Sequence, residues 1–242
     1  TLDRSSAASD VYKRQLPMSE DRDEILYQIG LAYQGLEDFE KAIETYKEAV
    51  QFNLHNEGAL YELTYCFEIV GALEKSIPYY KRFIDADPYS EYAWYNMGIV
   101  YNKLKKFDKA MDAYEFAIAI DETFSSAHFN MGNTYMNLEK YDSAIASYLL
   151  TLEYEGPSPD LYCHIGASYE KMGQYEIGLR YYTKASKMDP LYHQAWFGVG
   201  TCFAFKENWL EATHFFKKAI KIANSDEVLG INTAEQLEEL EF

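Results

Sequence analysis

Residues 94–121 read WYNMGIVYNKLKKFDKAMDAYEFAIAID, and residues 128–155 read HFNMGNTYMNLEKYDSAIASYLLTLEYE. The methionine-glycine pair, the tyrosine, the alanine and the second tyrosine recur in the same order, 34 residues apart. With this period the chain divides into six blocks without an insertion: 23–56, 57–90, 91–124, 125–158, 159–192 and 193–226. Self-similarity at a fixed period of this length is the signature of a repeat protein.

Five positions of the block keep their residue type. Position 8 is glycine in five of the six blocks, positions 11 and 24 are always aromatic, position 20 is small, and position 27 is mostly alanine. Positions 4, 7, 8 and 11 share one face of a first helix, and positions 20, 24 and 27 share one face of a second. We expect the break near position 15. Glycine costs a helix about 1 kcal/mol relative to alanine, so its recurrence predicts a close helix approach at position 8.

This pattern resembles the tetratricopeptide repeat over residues 23–226. Proline at position 32, after the second helix, belongs to the same pattern and is present as Pro88 and Pro190. The resemblance implies an all-α fold in which tandem helix-turn-helix repeats form a right-handed α-solenoid superhelix. Thr64 replaces the glycine of position 8 in the second block, which puts only local packing in doubt.

The ends of the chain depart from the repeat. Residues 1–15 do not fit it, and SSAASDVYKRQ looks like a translated sequencing-adaptor tail. We therefore expect a non-native or disordered leader on a fragment that derives from a metagenome, with a bacterial-type repeat array over 16–226. Residues 227–242 are either a capping helix, with Asn232 or Thr233 as its N-cap, or the start of a degenerate repeat.

The charge of the chain limits the classes of partner. There are 39 acidic against 22 basic residues, a net charge of −17, which disfavours nucleic acid and anionic membrane surfaces. No apolar run approaches the roughly 20 residues of a membrane-spanning helix. Three scattered cysteines, Cys66, Cys163 and Cys202, do not suggest a disulfide framework, and together these features predict a cytoplasmic location.

No catalytic motif is present. The sequence lacks a phosphate-binding loop, a zinc-binding H-E-x-x-H helix, a C-x-x-C pair and a G-x-S-x-G elbow. We expect no catalytic residue, no metal site and no cofactor. A repeat array offers a groove in place of a catalytic pocket.

The resemblance places ligand binding in the concave groove, which first-helix positions 2, 5, 6, 9, 12 and 13 line. In the second to fourth blocks these positions are rich in rings and side-chain amides, which suit apolar side chains and a peptide backbone. The candidate groove residues are Tyr61, Tyr65, Tyr92, Tyr95, Asn96, Asn102, Phe129, Asn130, Asn133, Met136 and Asn137. Tyrosine at position 5 and asparagine at position 6 are common in the repeat, so packing is the alternative role.

The resemblance therefore implies a non-enzymatic protein–protein interaction scaffold that binds a peptide or a segment of a partner protein. The alternative is a regulatory or docking segment of a larger enzyme, or of a secretion or assembly protein. In both cases the expected partner is a protein, within a larger complex in the second case, and neither nucleic acid nor membrane insertion is expected.

Overall fold

The computed structural model describes residues 21–239, with side chains described for residues 21–224. Over residues 21–239 the chain forms helices and no strand, which confirms the all-α fold of tandem helix-turn-helix repeats. The predicted leader at 1–15 lies outside the described residues. The twelve α-helices of the described part are α1 (Arg22–Gly35), α2 (Phe39–Phe52), α3 (Glu57–Ile69), α4 (Ile77–Ala86), α5 (Glu91–Lys103), α6 (Phe107–Ile120), α7 (Ser125–Asn137), α8 (Tyr141–Glu155), α9 (Pro159–Lys171), α10 (Tyr175–Met188), α11 (His193–Phe205) and α12 (Trp209–Glu239).

The chain forms two compact units, of which the first ends at Glu122 and the second begins at Thr123. Each unit holds three repeats. In five repeats the two helices pack closely on each other, and within each unit a second helix also packs on the first helix of the next repeat. In the second repeat α3 packs instead on a 3-10 turn, Leu73–Ser76, that precedes α4.

The helix pair of each repeat closes on one contact, between position 8 and the ring at position 24. A Cβ atom added to Gly98 would lie 2.5 Å from Cε1 of Tyr114, and one added to Gly132 would lie 2.5 Å from Cε1 of Tyr148. Both rings are fully buried. Because neighbouring side chains surround these rings, they have no room to move away from an added methyl group. The close approach predicted from the glycines is confirmed.

In the second repeat, Thr64 takes the place of the glycine at position 8. Its Oγ1 donates to the carbonyl of Leu60 at 2.8 Å and lies 3.2 Å from the hydroxyl of Tyr80. The threonine hydroxyl therefore makes a hydrogen bond with the residue that elsewhere packs against a glycine. The second helix of this repeat also begins late, since Pro78 stands at its first turn, where its missing N–H costs nothing.

The turn between the two helices has the same backbone in all six repeats. The residue at position 15 lies in the left-handed region each time, with φ of 58° at Glu37, 68° at Gly71, 57° at Lys105, 57° at Glu139, 74° at Gly173 and 60° at Glu207. The next amide donates back to the carbonyl of position 11, as from Lys106 N to Tyr101 O at 2.8 Å. This is the Schellman end of an α-helix. The predicted break near position 15 is confirmed.

The prolines at position 32 follow the second helices, as predicted. Each of them also accepts a hydrogen bond from the tryptophan at position 4 of the next repeat. Trp94 Nε1 donates to the carbonyl of Pro88 at 3.0 Å, and Trp196 Nε1 donates to that of Pro190 at 2.9 Å. The link between consecutive repeats is therefore fixed by the same pair of residues in both units.

The last helix, α12, runs from Trp209 to Glu239 and passes through Asn232 and Thr233 without a break. A separate helix that begins at either residue is therefore not seen. Side chains beyond residue 224 are outside the described part of the chain, so the role of residues 227–242 as a cap stays a prediction.

The contact at position 8 can be tested with two glycines that differ only in their surroundings. Gly98→Ala should lower the free energy of unfolding by about 1–3 kcal/mol, because its methyl group overpacks the ring of Tyr114. The control is Gly35→Ala, since a Cβ there meets nothing within 4 Å. Urea denaturation followed by circular dichroism should show the control unchanged or slightly stabilised. Equal midpoints for the two variants would contradict this account of the helix pair.

The left-handed turn residue offers a second test. Glu139→Gly should stabilise the chain by roughly 0.5–1 kcal/mol, because glycine adopts a positive φ without strain. Gly173→Ala should destabilise it by a similar amount. Glu139→Gln, which removes the charge and keeps the strain, is the control and should leave the thermal midpoint near that of the parent chain. A gain of the same size in the glutamine variant would assign the effect to charge.

Candidate peptide-binding cleft

The hydroxyl of the buried tyrosine at position 24 takes its partner from the first helix of the same repeat. In the first repeat, Tyr46 donates to Gln34 Oε1 at 2.9 Å. In the fourth, Tyr148 donates to Asn133 Oδ1 at 2.7 Å. In the fifth, Tyr182 donates to Glu170 Oε2 at 2.9 Å. Burial raises the pKa of each of these tyrosines, which keeps them neutral donors.

The third repeat lacks such a pair. Tyr114 Oη and Asn102 Oδ1 are buried, and neither makes a hydrogen bond within the described part of the chain. Asn102 stands 12 residues before Tyr114, as Gln34 stands 12 residues before Tyr46, but its side chain is one methylene shorter. A buried polar atom without a partner destabilises the fold.

The aromatic residues at position 5 lie against the ring at position 24 of their own repeat in four repeats. The centroid distances are 6.2 Å for Tyr27 and Tyr46, 6.1 Å for Tyr95 and Tyr114, 5.7 Å for Phe129 and Tyr148, and 5.4 Å for Phe197 and Phe216. Tyr95 and Phe129 are therefore half-buried packing residues as well as candidates for the groove.

Of the remaining candidates of the second unit, two make hydrogen bonds within the protein and one is exposed to solvent. Asn130 Nδ2 donates to the carbonyl of Ser126 at 3.1 Å. Met136 Sδ accepts from Ser168 Oγ at 3.0 Å. Asn137 is exposed at the end of α7. Of these three side chains, only that of Asn137 extends into solvent without an internal hydrogen bond.

A histidine at position 6 of the fifth repeat was not among the candidates. The ring of His164 lies edge-on to Phe129 at 4.9 Å and 5.4 Å from the ring of Tyr148, and its Nε2 is 3.5 Å from Asp160 Oδ2. Burial lowers the pKa of His164, and the Asp160 carboxylate opposes that shift. The neutral ring therefore packs as part of the aromatic cluster of the second unit.

In the first unit the structure brings three of the candidates together. Tyr61, Tyr65 and Asn96 line one cleft of about 260 Å³, which the first helices of the second and third repeats, α3 and α5, form side by side. Its other lining residues are Thr64, Glu68, Leu73, Tyr80, Ile99, Val100 and Lys103. Tyr92, the other exposed ring of this region, does not line it.

An ion pair joins the two helices across this cleft, between Lys103 Nζ and Glu68 Oε2 at 2.5 Å. Both side chains are about half exposed, so the pair contributes little to stability. The candidate residues from the sequence included neither partner. Opposite charges at positions 12 and 13 of consecutive repeats are the signal that could have identified them.

The three cysteines lie in the interior of the described part of the chain. Cys66, Cys163 and Cys202 are buried free thiols, and burial raises the pKa of Cys66 to about 11 and that of the other two to about 12. Within the described residues, no three His, Cys, Asp or Glu side chains are grouped so that they could hold a metal ion. Nor is any helix in this part of the chain both long and apolar enough to cross a membrane.

The unpaired atoms of the third repeat lead to a third prediction. Asn102→Gln should raise the free energy of unfolding by about 1 kcal/mol, because the longer side chain can reach the Tyr114 hydroxyl as Gln34 reaches that of Tyr46. In a Tyr114→Phe background the same substitution should give no such gain, which a double-mutant cycle in urea would measure. An equal gain in both backgrounds would show that glutamine acts through helix propensity.

Solved structures with the same fold include proteins of similar architecture at low sequence identity. A tetratricopeptide repeat protein from Parabacteroides merdae matches with a TM-score of 0.66 and 17% identity, over 93% of this chain and 90% of that one. MamA matches with a TM-score of 0.59 and 26% identity, over 69% and 92%. YrrB, described as a tetratricopeptide repeat protein with an unusual peptide-binding site, matches with a TM-score of 0.58 and 21% identity, over 80% and 99%.

Family models agree with the structural matches, whereas a comparison with curated protein sequences gives no significant match. Models of the tetratricopeptide repeat match residues 24–56, 91–124, 125–155 and 165–227, which together make up well over half of the chain. Three of these matches coincide closely with the first, third and fourth blocks, and the fourth match covers most of the fifth and all of the sixth. The chain therefore belongs to the tetratricopeptide repeat family.

Proposed function

We propose that this protein is a non-enzymatic scaffold that binds a segment of a partner protein, and that the cleft between α3 and α5 takes one side chain of that segment. The observation that carries the proposal is the cleft itself, in which two exposed tyrosines and the amide of Asn96 converge. The proposal rests on the first unit alone.

The size of the cleft favours a peptide side chain over a small-molecule ligand. Its volume of about 260 Å³ lies below the roughly 300–1,000 Å³ that is common for pockets of small molecules. An apolar side chain on an extended peptide needs no more than this, and the neighbouring residues of the peptide can lie along the helices outside.

The two tyrosines give the cleft a surface that a partner can cover. Tyr61 is 58% exposed and Tyr65 is 41% exposed, whereas Tyr80 beside them is buried. Tyrosine supplies a large apolar area at low cost in conformational entropy, and interface residues that dominate binding are enriched in it. In the free protein these two rings are only partly covered, so a ligand can remove further apolar surface from water.

The polar groups of the cleft suit a peptide backbone. Asn96 makes no hydrogen bond among the described residues, and its amide can donate and accept at once, as a peptide group requires. The exposed pair of Glu68 and Lys103 can exchange its internal contact for a contact with the ligand at little cost, because such surface pairs contribute only about 0–1 kcal/mol.

The other candidate residues are assigned by their internal contacts. We propose Tyr92 as a further ligand contact of the first unit, since it is exposed; Asn137 is also exposed but lies in the second unit, outside the proposed site. Tyr95, Asn102, Phe129, Asn130, Asn133 and Met136 are proposed to act mainly in packing. The peptide-binding site in the name of YrrB supports a peptide as ligand. Three reduced thiols support a cytoplasmic location.

A peptide-display library selected on the full chain tests the proposal. Tyr65→Ala and Asn96→Ala should each lower the affinity for the selected peptides by roughly tenfold or more. Residues at the centre of an interface commonly contribute about 1–3 kcal/mol to the binding free energy. The control is Tyr89→Ala, which removes an even more exposed tyrosine of the same unit, at 79% exposure, from outside the cleft. Circular dichroism should show all variants folded.

Two outcomes would count against the cleft. If the library yields no peptide that binds above background, the chain does not bind displayed peptides and the proposal is wrong. If the selected peptides bind Tyr65→Ala and Asn96→Ala as tightly as the parent chain, they bind elsewhere on the surface.

A further inference from the structure

A second cleft of the first unit has an unusual charge for so acidic a chain. It has a volume of about 410 Å³ and lies on the side of the second helices, α2 and α4. Its lining residues are Lys47, Gln51, Phe67, Lys75, Pro78, Tyr79 and Arg82. Three of the seven are cations and none is acidic, although acidic residues outnumber basic ones 39 to 22 in the whole chain. It shares no residue with the cleft of Tyr61 and Tyr65.

The cations of this cleft are not neutralised by ion pairs. Lys41, Lys103, Lys106 and Lys206 each lie within 4 Å of a carboxylate, whereas Lys47, Lys75 and Arg82 have no such pair in the described part of the chain. Lys47 Nζ lies over the ring of Phe67, at 5.6 Å from its centroid. Their positive charge is therefore available to a ligand.

Helix α2 contributes residues to two clefts of the first unit. Lys47 and Gln51, one turn apart, border the basic cleft. Glu44 and Glu48, also one turn apart, line a different cleft, together with Lys41. Residues three or four apart are neighbours on a helix, so Glu44 lies beside Lys47 on α2 although it lines the other cleft, and Lys75 and Arg82 come from outside this helix.

The floor and wall of the basic cleft are apolar. The ring of Phe67 is buried, and the ring of Tyr79 lies 6.3 Å from it and is half-buried. Pro78 is exposed beside them. A ligand that complements this surface therefore needs apolar groups as well as negative charge, which a bare inorganic anion does not supply.

We propose that this cleft binds an acidic segment of a partner protein, whose carboxylates pair with Lys47, Lys75 and Arg82 and whose apolar side chain lies against Tyr79. At physiological salt the Debye length is about 8 Å, so a segment at the cleft experiences the three lining cations more than charges elsewhere on the chain. Nucleic acid is a poor alternative, because proteins that bind it commonly neutralise about 6–10 phosphates. The site is separate from the peptide cleft proposed above.

A pair of synthetic peptides tests the charge requirement. Isothermal titration of the full chain should show that Ac-EELEEF-NH2 binds at least about tenfold more tightly than Ac-QQLQQF-NH2, which has the same length and apolar side chains. Affinity for the acidic peptide should fall between 50 and 200 mM salt, because the interaction is between exposed charges. Equal affinity for the two peptides, or no binding of either, would overturn the proposal.

Charge-reversal variants locate the binding site. The double variant Lys75→Glu/Arg82→Glu should bind the acidic peptide with an affinity lower by roughly tenfold or more. The control Lys187→Glu/Lys217→Glu changes the net charge equally at exposed lysines of the second unit, and should bind the acidic peptide within about twofold of the parent chain. Equal loss in both variants would assign binding to overall charge. Inorganic pyrophosphate that binds more tightly than the acidic peptide would identify a site for small anions, and would also overturn the proposal.

Discussion

The contact between position 8 and the ring at position 24 is the constraint on which the rest of each repeat depends. It fixes how near the two helices come, since a single methyl group at Gly98 or Gly132 would already overlap the ring. A ring buried this deeply carries its hydroxyl into the interior, where an acceptor on the first helix stabilises it, as Gln34 and Glu170 do and as the third repeat does not. One steric contact thus determines residue choice at several other positions of the 34-residue block.

Most of the fold could be predicted from the sequence, because its determinants recur at a fixed spacing. The six blocks, the helix pair within each block, the break near position 15 and the prolines after the second helices all follow from residue type and period. The left-handed turn was harder to predict, because glycine marks it only at Gly71 and Gly173, and charged residues adopt the same conformation elsewhere. Local preference for glycine is outweighed there by the tertiary contacts on both sides.

The candidate site could be predicted only in part, because the side chain at one repeat position can be packed in one repeat and exposed to solvent in another. Asn133 looked like a groove amide, yet its oxygen accepts from a buried tyrosine. Tyr61 has the same position in its repeat as Tyr95, but it is exposed whereas Tyr95 is half-buried. The pairing of Glu68 with Lys103 and the gathering of three cations around Tyr79 depend on which helices are neighbours. No single helix contains either arrangement.

The recurrence of one backbone conformation at position 15 has a consequence for how such a chain can change in length. Leu36 and Val70 both end a first helix, and each is followed by a residue with positive φ. Excision of residues 37–70 would therefore join Leu36 to Gly71 across a junction with the same local geometry as the original. Duplication of that segment would preserve both junctions in the same way. Loss or gain of one such segment would thus leave the backbone at the turn unchanged, and the remaining helices would keep their register.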